Sequence, residues 1–589
     1  LDDALCFEVI PGPVHRWRAV APTLRRPGEA FDLGLRPEDL WGNAAYPGAV
    51  DLTLTADGPI DGLPERVAFG PEDRALRVPG LTIDTPGTYR ITAASEGEVL
   101  AVSDPITVRD GPVAGFWGDL HGQSGETVGI ATLDDYMAYA RDCAFLDVTG
   151  HQGNDFQLTN AFWDRLNRAT AALNRDGTFI VFPGYEWSGN TPVGGDHNVF
   201  FRHEGRRIVR SSHAMLADRS DVADDANTLD ALFQALAGED AVLWSHVGGR
   251  PADVSYAHDP ALKTAVEVHS NWGTFEWILT DSLALGHRIG VLANSDGHKG
   301  RPGAGAPGAT EFGAYGGLTC FLAPELTRDA LFECMRRRHH YGTSGSRMHL
   351  DVQAHFAAPA HGFARDPRYF EPEALPVESA VMGDLVEVTE DQVRLSVAVE
   401  AGSPVERVDV MVGDRLVATA RTYSAADLGQ RLRIYWQGAE YRGRGRNTFW
   451  QGEVRASTPI TAMRPISQWN LERPIAQTAP DRLTFEAVTS GNYGGVDLML
   501  GGPGRVEVET NLVSGAVDLA DLGLEDLVLD AGGLERAIRL RRLPNRLTQT
   551  RLERDFTIPI AKEGDTAVWV RVTTLDGHQA WSSPIYLWR

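Results

Sequence analysis

The sequence predicts a multidomain chain in which an α/β domain is flanked on both sides by all-β domains. Three observations lead there. At 589 residues the chain exceeds what one hydrophobic core ordinarily organises. Both ends carry short alternating runs broken by Gly, Pro and Asp, the pattern of half-buried strands. The middle carries compact apolar runs alternating with helical stretches, which is how buried parallel strands covered by helices read.

Residues 1–110 are expected to form a β-sandwich-like domain. Runs at 50–54 and 89–92 alternate in character, and Gly87 in Thr85-Pro86-Gly87-Thr88-Tyr89 supplies the turn that opens a strand. Residues 111–350 are expected to be α/β, with strands at 145–149, 179–183, 241–245, 265–268 and 289–293. Between and beyond them, helices are expected at 132–142, 158–173, 228–237, 275–285 and 327–338. The parallel sheet so formed is either open or closed into a barrel. Thr132, with Asp135 three residues on, reads as a helix N-cap. The cluster Arg336-Arg337-Arg338-His339-His340 suits the negative end of a helix dipole. Residues 351–589 carry β-like runs at 392–399, 408–412, 505–510 and 567–572, enough for one or two further sandwich-like units. Tyr441-Arg442-Gly443-Arg444-Gly445-Arg446 is basic and Gly-rich, but too short to imply RNA binding in an acidic chain.

Composition excludes partners more than it names them. With 43% hydrophobic and 23% charged residues the chain reads as globular. A formal charge of −25 argues against a general nucleic-acid or membrane-surface binder, since both need a basic face. Bound metal ions would still let an acidic protein take an anionic substrate. The cysteines Cys6, Cys143, Cys320 and Cys334 are scattered without a C-x-x-C pair, so buried reduced thiols are expected. No apolar run reaches the roughly 20 residues of a membrane span. The start Leu1-Asp2-Asp3-Ala4 does not resemble a signal peptide, and a cytoplasmic location is the expectation.

Chemistry is concentrated in the middle. Ten of the 17 histidines fall between residues 119 and 298, many where an expected strand ends. In a parallel α/β barrel those ends converge on one face. Asp119, His121 and Gln123 alternate on an extended chain and face the same way. Asp147-Val148-Thr149-Gly150-His151 is a second such segment, and Phe182-Pro183-Gly184-Tyr185-Glu186 ends a β-run in a carboxylate. Asp196-His197-Asn198, Leu243-Trp244-Ser245-His246 and Asn294-Ser295-Asp296-Gly297-His298 complete six segments. Imidazole with carboxylate and no thiolate suits zinc, manganese or iron.

This ordered set resembles the PHP superfamily, named for its polymerase and histidinol-phosphatase members, and more closely its DUF3604-like branch. Tyr341-Gly342-Thr343-Ser344-Gly345 and Trp581-Ser582-Ser583-Pro584 resemble that branch as well. The resemblance implies a distorted (β/α)7 barrel holding one to three divalent ions, zinc or manganese before iron, and hydrolysis of a phosphate ester. It places His121, Glu186 and Asp296 on one metal, with Glu186 bridging to a second held by His197 and His246. His151 and His298 would belong to a third. Three positions depart from the pattern. Gln123 stands where a histidine is usual, so that site is expected either to be weakened or to be completed by Asp119. Gly129 stands near the usual further ligand, with Glu126 the nearby substitute, and Gly150 replaces an aspartate.

The expected activity is a phosphoesterase in which water activated at a metal attacks phosphorus of a small-molecule ester. His298 or His151 would protonate the leaving group. Arg250, Lys299 and Arg301 are candidate phosphate contacts, with Arg347 a weaker one. His269 and Trp272 belong to the expected specificity loop, and 300–313 to a lid. The alternatives are hydrolysis of a carboxyl ester, amide or sulfate ester, and a non-catalytic binding domain.

Overall fold

The computed structural model describes residues 10–306, 313–468 and 474–589. Cys6 and residues 307–312 of the expected lid lie outside the described residues. Cys143, Cys320 and Cys334 are free thiols, and no helix among the described residues is long and apolar enough to cross a membrane.

Residues 16–108 fold into small, mostly antiparallel sheets around Leu33, Leu35, Leu52, Leu54 and Ile91. In Val50–Ala56 the buried residues are Leu52 and Leu54, so strict alternation puts one face in the core and one in solvent. The run expected at 89–92 divides. Gly87–Tyr89 pairs with Ile106–Val108, whereas Ile91–Ser95 pairs with Val50–Ala56, so the chain changes sheets at Arg90.

The middle region is α/β, but its sheets are mixed rather than parallel throughout. Ala114–Asp119, Val148–Gly150 and Ile180–Phe182 run parallel, and Leu318–Ala323 then His340–Thr343 extend this sheet antiparallel. A second sheet begins with the antiparallel strands Gly184–Ser188, Asp196–Phe201 and Ala241–Ser245, then continues parallel through Lys263–Ser270 and Gly290–Ala293. The two sheets do not share one closed backbone ladder. Pro183, which lacks an N–H, separates Ile180–Phe182 from Gly184–Ser188, and there the chain passes between sheets. They meet again where Thr319 Oγ1 donates to the Ala293 carbonyl at 2.8 Å and accepts from its N–H at 3.2 Å.

Helices cover these sheets much as patterned: Leu133–Ala138, Asn160–Leu173, Leu229–Ala235, Glu276–Ala284 and Arg328–Arg337. Thr132 Oγ1 accepts from Asp135 N at 3.1 Å, the expected cap. The basic cluster after the last helix is spent on neighbours. Arg336 meets Asp240, His339 Nε2 lies 2.8 Å from Asp384, and Arg338 turns left-handed at φ 62°.

The C-terminal strands are joined to the α/β region by hydrogen bonds, since His340–Thr343 pairs with Gln579–Ser582. Between Arg415–Arg421 and Arg551–Pro559 the chain inserts two five-stranded sheets, which enclose Leu432, Trp450, Leu483, Val496 and Leu540. This inserted sandwich leans on the α/β region through an Arg442–Asp281 ion pair.

Candidate metal centre

Four strand ends converge on one buried cluster. His121 follows Ala114–Asp119, Glu186 sits within Gly184–Ser188, His246 follows Ala241–Ser245 and Asp296 follows Gly290–Ala293. His121 Nε2 lies 3.3 Å from Asp296 Oδ1 and 3.9 Å from Glu186 Oε2, and His246 Nε2 lies 3.9 Å from Glu186 Oε1. One ligand atom each from His121, Glu186 and His246 fall within 4.8 Å of one another. That is the spread of donors around a single cation.

Hydrogen bonding supports the fit. His121 Nε2 and both ring nitrogens of His246 are buried without a hydrogen-bond partner among the described residues. Leaving such groups dry and unpaired is costly, so an arrangement that gathers them beside two carboxylates fits a cation. The other face of His121 is fixed. Its Nδ1 lies 3.1 Å from Glu267 Oε1, and Asn294 Nδ2 donates to Glu267 Oε2 at 2.8 Å. A carboxylate on Nδ1 sets the tautomer that points the Nε2 lone pair into the cluster.

The electrostatics follow from burial and proximity. Burial opposes a charged His121, yet Asp296, Glu267 and Glu186 outweigh it and hold the imidazole well above its ordinary value. Burial also opposes a charged Glu186, but contact with His121 and His246 keeps it below the usual carboxylate range. His246 is lowered by burial and then by His121. Backbone shape contributes too. Asp296 has φ 47°, a conformation non-glycine residues rarely hold, and this turns its carboxylate toward His121 and, at 3.4 Å, His298 Nε2. A Cβ on Gly248 would sit 3.2 Å from His246 Cε1 and 3.3 Å from Asp296 Oδ2, so glycine keeps this space open.

The other residues singled out by sequence fall into three groups. Gln123 and Arg250 border the cluster. Gln123 Nε2 donates to Glu186 Oε2 at 3.0 Å, and Arg250 Nη2 lies 3.5 Å from Glu186 Oε1 while its Nε bonds Asp196 at 2.7 Å. Trp272 lies edge-on to His298 at 6.3 Å between ring centroids.

A second group is committed nearby. Asp119 accepts from the backbone of Ser295 at 2.9 Å and Gly303 at 2.7 Å, pinning the loop that carries Asp296. His151 Nε2 lies 2.7 Å from Ser124 Oγ, its ring is packed against Tyr136 and Phe162, and burial pushes it down to about 3. His197 Nδ1 donates to the Gly195 carbonyl at 3.0 Å, and its Nε2 meets Ser245 Oγ at 2.9 Å. Burial and then the buried Lys263 push His197 well below its ordinary value. Glu126 bonds Ser124 and Arg165.

The third group points elsewhere. His269 contacts Thr274 Oγ1 and the Tyr315 carbonyl and stacks on Trp581. Arg301 reaches the Trp41 carbonyl and Asn43 of the N-terminal sandwich, Lys299 is exposed, and Arg347 donates to the Ala144 and Phe145 carbonyls.

Two contributors escaped the sequence reading. Glu267 is a lone acid between Val266 and Val268 in a wholly buried strand, and that mismatch of charge and burial was its available signal. Arg446, from the basic stretch 441–446, donates to the Val247 and Gly248 carbonyls at 3.2 and 3.1 Å, bracing the turn after His246. Nothing local in the sequence links residues 199 positions apart.

A family model described as a protein of unknown function, DUF3604, matches residues 291–402, a stretch that contains Asp296 and His298. The DUF3604 resemblance is borne out over that stretch. An uncharacterized protein of Chlamydia pneumoniae is 24% identical over 382 residues, covering 59% of this chain and 59% of that protein. Another from Chlamydia trachomatis serovar D is 22% identical over 378 residues, covering 60% and 59%. The chain thus spans about 59% of the length of these relatives. Among solved structures, a two-domain Bacteroides vulgatus protein containing a predicted PHP-like metal-dependent phosphoesterase is 10% identical. Its TM-score is 0.28, with 69% of this chain and 96% of that chain covered. A family 2 glycosyl hydrolase of Bacteroides cellulosilyticus is 9% identical with a TM-score of 0.18, covering 85% and 78%. Likenesses this distant carry no argument about activity.

Proposed function

We propose that this chain is a metal-dependent hydrolase of PHP type that cleaves a phosphate ester of a small molecule, its two central sheets being the halves of a distorted (β/α)7 barrel. One observation carries the reading: the buried group His121, Glu186, His246 and Asp296, whose unpartnered imidazole nitrogens face two carboxylates. These four residues would hold one or two divalent ions, zinc or manganese, with His298 at the edge. Ions bound there would supply an activated water and positive charge for the substrate oxygens.

The chain's own groups do the remainder. Arg250, held by Asp196 beside Glu186, is placed to donate to a nonbridging phosphate oxygen. His298 is less buried than the cluster, with 19% of its side chain exposed, and is placed to hand a proton to the departing alkoxide. Arg446 and Gly248 keep the turn after His246 in register.

The test is elemental analysis of freshly purified protein, then aryl phosphate mono-, di- and triesters with and without added manganese or zinc. Stoichiometric metal and metal-dependent turnover, both lost in His246→Ala, are expected. Metal without turnover on any phosphate ester would redirect the search to carboxyl ester, amide or sulfate ester substrates. Absence of both after reconstitution would overturn the proposal in favour of a binding domain.

A further inference from the structure

A second polar cavity, of about 280 Å³, lies where the N-terminal sandwich, the α/β region and the C-terminal strands meet. That volume is near the lower end for small-molecule sites. Its walls include five arginines, Arg16, Arg18, Arg36, Arg90 and Arg347. Among the described residues the carboxylates lining it number three, Glu38, Asp104 and Asp576.

Arginines outnumber these carboxylates, and Asp104, whose charge Arg347, Arg18 and Arg90 share, is pushed up by burial to about 6. Glu38 alone serves three guanidinium groups: Arg16 at 2.6 Å, Arg18 at 3.4 Å and Arg36. Asp576 is engaged by its own loop, accepting from Thr574 Oγ1 at 2.6 Å. Arg90 and Arg347 are anchored on backbone carbonyls, Ala401 at 2.8 Å for the first and Ala144 at 2.8 Å for the second. Neither makes an ion pair with a carboxylate among the described residues. Arg347 is only 7% exposed, and burial pushes its guanidinium down to about 10.

A neighbouring cavity provides the control. Arg407, Arg433, Arg539, Arg541 and Arg571 line it, and every one lies within 4 Å of a carboxylate. In a chain of net charge −25, this cavity differs from its neighbour in holding buried guanidinium groups without carboxylate partners, a surplus that an anionic ligand would resolve.

We infer that this three-domain cavity binds a small multiply charged oxyanion, a phosphate-bearing or polycarboxylate metabolite, through Arg18, Arg90 and Arg347. Planar guanidinium forks match the oxygen pairs of either group. The cavity also touches the loop of the metal centre. Gly303–Ala306 line it, and Gly303 N donates to Asp119, the carboxylate that pins the Ser295 backbone. Occupancy would brace that loop from behind. The inference stands apart from the proposed hydrolase activity.

Calorimetric titration of the full chain with pyrophosphate and with citrate, at constant ionic strength set by chloride, tests it. Wild type is expected to bind one of them saturably. Arg18→Gln, at an exposed position that does not threaten folding, and Arg90→Gln are each expected to weaken binding at least tenfold. His246→Ala is expected to bind as wild type does. Preference for pyrophosphate marks a phosphate-bearing ligand, and preference for citrate a polycarboxylate. No saturable binding of either, or binding kept in both arginine variants and lost in His246→Ala, would overturn the inference.

Discussion

Two buried polar clusters in this molecule are equally dry and differ in how their atoms are satisfied. In the metal centre, His121 and His246 are at most 1% exposed and keep three ring nitrogens without a hydrogen-bond partner among the described residues. At the root of the inserted sandwich, Glu406, Arg433 and Arg541 are at most 2% exposed. There Glu406 accepts from both arginines, Arg433 Nε meets Asp497 at 2.7 Å, and Arg541 Nε meets Asp526 at 2.6 Å. The second cluster is complete as it stands and ties together the three strands that carry Glu406, Arg433 and Arg541. The first leaves imidazole nitrogens open that a bound cation would satisfy. What separates these two clusters is that the first gathers unsatisfied imidazole nitrogens beside carboxylates, whereas the second satisfies its own.

That contrast can be broken by four experiments. The largest effect is expected in the satisfied network. Glu406→Ala removes the carboxylate shared by two buried guanidinium groups, leaving each with one carboxylate partner, and should cost about 3–5 kcal/mol by denaturant unfolding, with metal content unchanged. A mild effect would mean that the network is wet in solution. In the metal centre the expectation reverses. His246→Ala should abolish bound metal while shifting the stability of the metal-free protein by less than about 1 kcal/mol, since it removes two unpaired buried atoms. A large loss of apo stability would make the cluster structural.

Glu267→Gln keeps the shape of the support behind His121 but not its charge. Metal affinity should fall about 10–100-fold in a competition titration, without a change in fold. Equal affinity would show that Glu267 does not set the orientation of His121.

Lys263 gives the smallest effect and a pH signature. Its ammonium is 1% exposed, lacks a hydrogen-bond partner among the described residues, and is pushed by burial down to about 7. An unfolded lysine keeps its proton to about pH 10.4. Between about pH 7 and 10 the unfolded chain therefore binds the extra proton, so this group makes stability rise with pH. Below about pH 7 both states are protonated and the penalty is constant. Lys263→Met should stabilise the protein at pH 7 by about 1–2 kcal/mol and flatten that rise in a series of unfolding curves. Parallel curves for the two proteins would place the ammonium in water.

Much of the α/β region was legible because its elements are written locally. Strands buried on both faces leave unbroken apolar runs such as Ala241–Ser245, and Thr132 announces its helix by the side chain that caps it. The direction of pairing was not legible. Gly184–Ser188 and Asp196–Phe201 are buried strands beyond the expected ones, and only their contact shows them antiparallel. The C-terminal runs were readable as strands, but the pairing of Gln579–Ser582 with His340–Thr343 joins residues more than 200 apart.

For the candidate site, the sequence by itself supplied the candidate ligand types and most of their positions. Histidines and carboxylates at strand ends, spaced to share a face, supplied His121, Glu186, His246, Asp296 and His298. Only the tertiary structure decided which of them meet. His151 and His197 carry the same local signature, but their ring nitrogens are taken up by Ser124, Gly195 and Ser245. It also brought in Glu267 and Arg446, whose roles exist only through distant partners. The physical reason is range: donor chemistry and strand periodicity are properties of neighbouring residues. Whether a buried nitrogen is left open depends on every group folded around it.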